Sequence, residues 1–267
     1  MSSLKLVIIV LVFFITIPAH AAAPETSARA YLVMDEASGA VRASKNPDVP
    51  HPVASLTKLM SAVIFLEQNP RFERRIKMLR EDEVGGGRLR FPVGSILTVR
   101  DLLYASLVGS ANNSANALAR VSGLPRKLFI HEMNVRAAVL GLARTEFFDV
   151  SGMNPRNTTT ARDMALLARY AFSNPTIAGI AGTKTYDIRP VGSRQQRTLT
   201  NTNALLGMAV GSVTITAGKT GYLEEAEYNL VVRAEDPAGR RVIIVVLGAP
   251  TKAASFANAR SLAESAF

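Results

Sequence analysis

Ser55 and Lys58 are the pair in this chain best spaced for chemistry. A hydroxyl and an amine three residues apart share one face of a helix. An amine held there can take the serine's proton and leave an activated nucleophile, with no histidine needed. The spacing alone is a weak signal. Ser-x-x-Lys arises about once by chance in a chain of this length at average residue usage, and Ser2 with Lys5 is a second copy. The Ser55 copy has better surroundings. Pro52 disfavours helix for the residue before it, and Leu56, Leu59, Met60, Val63 and Ile64 then repeat at helical spacing. Taken alone, the pattern fits a catalytic serine and a buried helix with an incidental lysine equally well.

Two further short motifs follow in the chain, Ser110-Ala111-Asn112 and Lys219-Thr220-Gly221. A Lys-Thr-Gly tripeptide is expected in about one chain of this size in twenty. Ser-x-Asn is less informative, because Ser44-Lys45-Asn46 and Ser114-Ala115-Asn116 also match it. Each motif has a structural reading of its own. Ser110 and Asn112 could cap a helix, and Lys219 with Thr220 could guard an edge strand against aggregation.

The elements that must position these residues can be outlined from periodicity. Ala30 to Ser44 reads as a hairpin of two strands, and the Ser55 helix runs to Glu67 or Gln68, where Asn69-Pro70 stops it. Gly85-Gly86-Gly87-Arg88 cannot be regular structure and is expected to bend close to something. Val99 to Leu107, Ala115 to Val121, Leu128 to Leu140 and Met164 to Tyr170 read as helices, the last with Thr160 and Asp163 as a capping box. Beyond Thr183 the pattern turns β-branched, with strands around Val213 to Gly221, Tyr228 to Ala234 and Arg241 to Leu247, and a closing helix from Ala253. Strands at both ends with helices between them predict an α+β fold whose terminal segments share one antiparallel sheet.

Composition narrows the function classes. Lys5, the apolar run Leu6 to Ile17 and the small residues Ala19 to Ala23 read as an export signal over residues 1–23, too short for a comfortable transmembrane span. The protein is therefore expected to be periplasmic or otherwise extracytoplasmic, with no stable membrane anchor after cleavage. With no cysteine in 267 residues, thiolate catalysis and cysteine metal sites are excluded. Only His51 and His131 lie outside the leader, which argues against a histidine metal site, so no metal or cofactor is expected. The net charge of +10 suits a polyanionic cell envelope. The basic residues are scattered with few aromatics among them, so no nucleic-acid partner is expected.

The ordered set of Ser-x-x-Lys on a helix, Ser-x-Asn between helices and Lys-Thr-Gly on a strand is the signature of penicillin-recognising serine enzymes. The stretches from His51 to Met60, Gly85 to Gly94, Thr159 to Ala165, Asn201 to Leu206, and Gly221-Tyr222 with Tyr228 to Val231 resemble the low-molecular-mass D-alanyl-D-alanine carboxypeptidase/endopeptidase family of penicillin-binding proteins. The resemblance implies a five-stranded antiparallel sheet packed with helices, of the DD-peptidase/β-lactamase-like kind. A catalytic domain over 24–267 would contain a helical subdomain at roughly 69–180. It also implies peptidoglycan stem peptides as substrate and β-lactams as covalent inhibitors.

Carried over by position, Ser55 would be the nucleophile, Lys58 its base, Ser110 a proton relay and Asn112 a holder of Lys58 and of the substrate amide. Lys219 would supply positive potential and Thr220 would bind the substrate carboxylate. Gly221 would leave room for substrate along the strand, and the Ser55 and Tyr222 amides would form the oxyanion hole. Lowering Lys58 far enough to serve as a base would fall to burial and to Lys219. Thr202 stands where relatives acting mainly as carboxypeptidases often carry arginine, and the chain ends at Phe267 without a second β domain, both as in the compact endopeptidase branch. A class A β-lactamase is the rival enzyme, but Val150 stands where its deacylating Glu would be, with Glu146 and Asp149 out of register. A non-catalytic wall-binding module is the rival from another class, though no motif residue is missing.

Overall fold

The computed structural model describes residues 25–267. The expected export signal over residues 1–23 lies outside the described residues. The chain begins with β1 (Ala30–Asp35), β2 (Val41–Lys45) and the two-residue β3 (His51–Pro52), then a single 3-10 turn, Ala54–Leu56, which opens α1 (Thr57–Glu67). The middle contains β4 (Arg75–Lys77), β5 (Ile96–Thr98), α2 (Val99–Leu107), α3 (Asn112–Val121), α4 (Arg126–Val139), β6 (Thr158–Thr159), α5 (Ala161–Ser173) and α6 (Pro175–Ala181). It closes with β7 (Thr185–Ile188), β8 (Arg197–Thr200), β9 (Ala209–Val210), β10 (Val213–Leu223), β11 (Glu227–Glu235), β12 (Arg241–Ala249) and α7 (Lys252–Glu264).

The main sheet has the order β2-β1-β12-β11-β10-β9, every pairing antiparallel. Five of its strands are the expected ones. The sixth, β9, pairs with β10 only at Val210↔Val213 and Ala209↔Thr214. The first and last strands of the described chain pair as anticipated, with Ala30 opposite Leu247 and Asp35 opposite Val242.

β12 shows why this sheet can be central. Its residues Val242 to Leu247 are all buried, yet they alternate between two cores. Ile243, Val245 and Leu247 join the cluster made with α1 to α6, whereas Val242, Ile244 and Val246 pack with Ala259, Leu262 and Ala263 of α7. An unbroken apolar β-branched run is what a strand covered on both faces requires. α1 is the helical counterpart, buried from Thr57 through Phe65 and packed against α2 to α6. A helix apolar on all sides is stable only when surrounded. Lys58 is thereby fixed in the protein interior.

Two local details differ from the expectation. The Thr160 hydroxyl caps α5 by accepting from the Asp163 amide, but the Asp163 carboxylate accepts from the Arg144 amide and the Thr145 hydroxyl instead of closing the box. α3 starts at Asn112, three residues early, because the Asn112 amide donates to the Gly87 carbonyl. No helix among the described residues is long and apolar enough to cross a membrane.

Candidate active site

Ser55 sits in the 3-10 turn that opens α1, between the end of β3 and the face of β10. Ala54 adopts φ +48°, a conformation a residue with a Cβ rarely takes, so the turn is held by its surroundings. Two glycines do this. A Cβ on Gly152 would fall 1.9 Å from the Ala54 carbonyl oxygen, and one on Gly221 would fall 3.2 Å from the Ser55 nitrogen. The backbone beside Gly152 therefore leaves no room for a side chain, and a Cβ at Gly221 would force its neighbours to give by a few tenths of an ångström.

The lysine of the first motif is fully buried. Its Nζ lies 2.8 Å from Ser55 Oγ, 2.6 Å from Asn112 Oδ1 and 2.5 Å from the Ser151 carbonyl oxygen. The amide oxygen and the peptide carbonyl can only accept. A neutral amine has two hydrogens, which those acceptors take, and its lone pair is then left facing Ser55. Burial brings the Lys58 pKa down to about 7, with the Asp149 carboxylate opposing the shift. Of the two causes expected, burial is the one that acts on Lys58; Lys219 is not among the causes of its shift.

Lys219 is equally buried, and its Nζ donates to Ser110 Oγ at 2.7 Å and to the Thr220 carbonyl at 2.8 Å. Desolvation, and after it the charge of Lys58, holds its pKa well below the usual lysine range. An anion arriving beside it would favour the ammonium form. Ser110, at φ +56°, is another residue held in the left-handed region. Asn112 is fixed at the start of α3 by its Nδ2, which donates to the Gly85 carbonyl at 2.8 Å. The glycine stretch thus bends against Asn112, as its composition predicted.

Thr220 Oγ1 donates to Thr202 Oγ1 at 2.7 Å. Ser55, Ser110, Asn112, Thr202, Thr220, Gly221 and Tyr222 all border one cavity of about 480 Å³, with Lys58 and Lys219 buried beside it. Because β9 covers only the first two residues of β10, the strand from Ile215 to Leu223 has an edge unpaired by any other described strand. An extended peptide can add there as a further strand. All eight residues singled out from the sequence come together.

Residues that the motifs missed complete the site. Asp149 accepts from the amides of Ser151, Gly152, Met153 and Asn154, at 3.1, 2.6, 2.9 and 2.9 Å, and from Asn157 Nδ2 at 2.9 Å. This clamp presents the Ser151 carbonyl to Lys58. An Asp two and three residues before Ser-Gly is a turn signal, and it could have marked the loop though not its partner. The same bonds occupy Asp149, while Val150 is buried in the core and Glu146 is exposed. His51 is engaged elsewhere, its Nε2 lying 2.8 Å from the Ala226 carbonyl oxygen. Among the described residues no acidic or histidine cluster could hold a metal.

A serine in the turn that opens α1 and a lysine in that helix's first turn, set beside the edge strand of an antiparallel sheet, place the molecule in the class of serine enzymes that recognise penicillin. The family model described as D-alanyl-D-alanine carboxypeptidase matches residues 17–251, and the chain belongs to that family. It is 34% identical over 206 residues to the D-alanyl-D-alanine endopeptidase of Haemophilus influenzae, covering 76% of this chain and 69% of that one. It is 30% identical over 246 residues to the Escherichia coli D-alanyl-D-alanine endopeptidase, covering 91% and 78%. Among solved structures, the Streptomyces DD-transpeptidase matches with a TM-score of 0.85 at 29% identity, over 92% of this chain and 99% of that one. The D-alanyl-D-alanine carboxypeptidase from Mycobacterium tuberculosis matches with a TM-score of 0.82 at 27% identity, over 92% of each chain.

Proposed function

We propose that this protein is a serine-type DD-peptidase that cleaves D-Ala-D-Xaa bonds of peptidoglycan stem peptides through an acyl-enzyme on Ser55. The observation that carries the reading is the set of three oxygens around Lys58 Nζ, which leaves a neutral amine's lone pair for Ser55. Lys58 takes the Oγ proton as Oγ adds to the D-Ala carbonyl carbon. The resulting oxyanion receives hydrogen bonds from the amides of Ser55 and Tyr222, each such donor typically worth about 3 kcal/mol in the barrier. The C–N bond then breaks, and the leaving amine takes its proton from Lys58, relayed by Ser110. Water adds to the ester with Lys58 again as base, and Ser55 is released.

Asn112 holds the Lys58 amine and the substrate amide. Lys219 and Thr220 bind the carboxylate of the leaving residue, and Gly221 lets the peptide lie against the strand. β-Lactams would acylate the same serine. With residues 1–23 as an export signal and 24–267 as the catalytic domain, the enzyme works outside the cytoplasmic membrane, where its charge suits an anionic wall. The absence of an arginine at Thr202, and relatives named endopeptidases, favour cross-links over free D-Ala termini.

The test is the intact mass after brief exposure to benzylpenicillin, with Ser55→Ala as control, followed by digestion of purified cross-linked muropeptides. A penicilloyl adduct on the wild type alone and conversion of dimers to monomers are expected. An unmodified, folded wild type would refute the reading.

A further inference from the structure

The catalytic cavity continues past Ser55 to a second group of residues that the chemistry above does not use. Besides the catalytic groups, its lining includes Tyr222, Tyr228, Phe256, Glu224 and Lys252. Tyr222, 54% exposed, faces Tyr228 across the strand pair with ring centroids 4.4 Å apart. This gives the cavity an aromatic wall. Glu224 and Lys252, both exposed, bring opposite charges to its lining, and neither joins any ion pair among the described residues. Lys252 is also the first residue of α7, where the helix dipole disfavours a cation. Its position is not explained by helix stability.

The direction of the strand says which part of a substrate reaches them. Lys219 and Thr220 are on the leaving-residue side, so a peptide on the β10 edge has its C-terminus there and runs antiparallel to the strand. Its preceding residue then lies beside Tyr222 and Leu223. At roughly 3.3 Å per residue, β10 carries the peptide about 10 Å from Thr220 to its last residue, Leu223, and Glu224 opens the turn that follows, next to that preceding residue and within reach of a long side chain on it.

Resting on the DD-peptidase reading above, we infer that Glu224 and Lys252 form a specificity subsite for a zwitterionic side-chain end, an amine and a carboxylate on one carbon, carried by the residue just before the scissile D-Ala-D-Xaa unit. The methylenes of that side chain lie on the Tyr222, Tyr228 and Phe256 wall, its amine donates to the Glu224 carboxylate, and its carboxylate accepts from the Lys252 ammonium. A 2,6-diaminopimelyl residue satisfies both charges. A lysyl residue satisfies Glu224 alone and sets its ammonium near Lys252, and an amidated carboxylate loses the Lys252 contact.

The experiment compares kcat/KM for two synthetic stem peptides ending in D-Ala-D-Ala, one with meso-2,6-diaminopimelate and one with L-lysine at the third position, in the wild type, Lys252→Ala and Glu224→Ala. Taking the ratio of the two peptides within each variant cancels any general loss of folding or of Ser55 reactivity. The wild type is expected to favour the diaminopimelyl peptide by about threefold to tenfold, the range for one partly exposed charge pair. Lys252→Ala should abolish the preference, and Glu224→Ala should slow both peptides while leaving a residual preference. Benzylpenicillin acylation of the wild type is measured alongside. If penicillin acylates Ser55 but the two peptides react equally, or if Lys252→Ala keeps the preference, the subsite is overturned while the DD-peptidase reading stands. If penicillin fails to acylate folded wild type, that reading falls and the subsite falls with it.

Discussion

Lys58 Nζ and Asn112 Oδ1 meet at 2.6 Å, joining the first turn of α1 to the first residue of α3. The contact gives the amine a neutral acceptor. Asn112→Asp would put a carboxylate in its place and raise the Lys58 pKa. Acylation requires the neutral amine, so in the wild type its rate should climb as pH rises through about 7. In the variant the climb should move to higher pH, with the rate at pH 7 falling about tenfold for each unit of displacement. The pH profile of benzylpenicillin acylation checks this, and an unmoved profile would contradict the role given to Lys58.

The same depressed amine should appear in stability. Lys58 titrates near 7 in the native protein and near its ordinary 10.5 when unfolded. Between those values the unfolded chain carries a proton that the native chain does not, so this residue makes stability rise with pH across the window. Lys58→Met removes that contribution. The melting temperature of the wild type should gain on that of the variant as pH is raised from 7 towards 10, and the variant should not be acylated.

Gly152 tests the support of the serine turn. At φ +85° and with a Cβ 1.9 Å from the Ala54 oxygen, Gly152→Ala must displace the backbone that holds Ser55. A loss of about 3 kcal/mol or more, with acylation abolished, is expected from urea unfolding and intact mass. Gly141→Ala is the control. Its φ of +72° is similar, but nothing lies within 4 Å of the added Cβ, so only the conformational cost of about 1 to 2 kcal/mol should be seen.

The Thr202–Thr220 hydrogen bond bears on substrate preference. Thr202→Arg would place a guanidinium beside the residue proposed to bind the leaving carboxylate. Charge-assisted pairing should raise kcat/KM for peptides ending in D-Ala-D-Ala by about tenfold relative to cross-linked dimers. Equal effects on the two substrates would separate Thr202 from terminal-carboxylate recognition.

Much of the fold was legible because it rests on local pattern. The β-branched runs of β10 to β12, the helical spacing after Ser55 and the Pro and Gly breaks each follow from interactions between near neighbours in sequence. The start of α3 was misplaced because the bond from the Asn112 amide to the Gly87 carbonyl crosses between segments. The Thr160–Asp163 box failed for a similar reason, since Arg144 and Thr145 compete for the Asp163 carboxylate. β9 is too short to carry a pattern of its own.

For the site, the sequence by itself determined which side chains are present and in what order: Ser55 with Lys58, Ser110 with Asn112, and Lys219-Thr220-Gly221. Tertiary structure alone decided what those groups are chemically. Lys58, the proposed base, has a depressed amine only because burial removes water from it, and Ser151, clamped by Asp149, supplies an acceptor from 93 residues away. Protonation depends on the solvent and charges that surround a group in space, and those neighbours are assembled by packing rather than by adjacency in the chain.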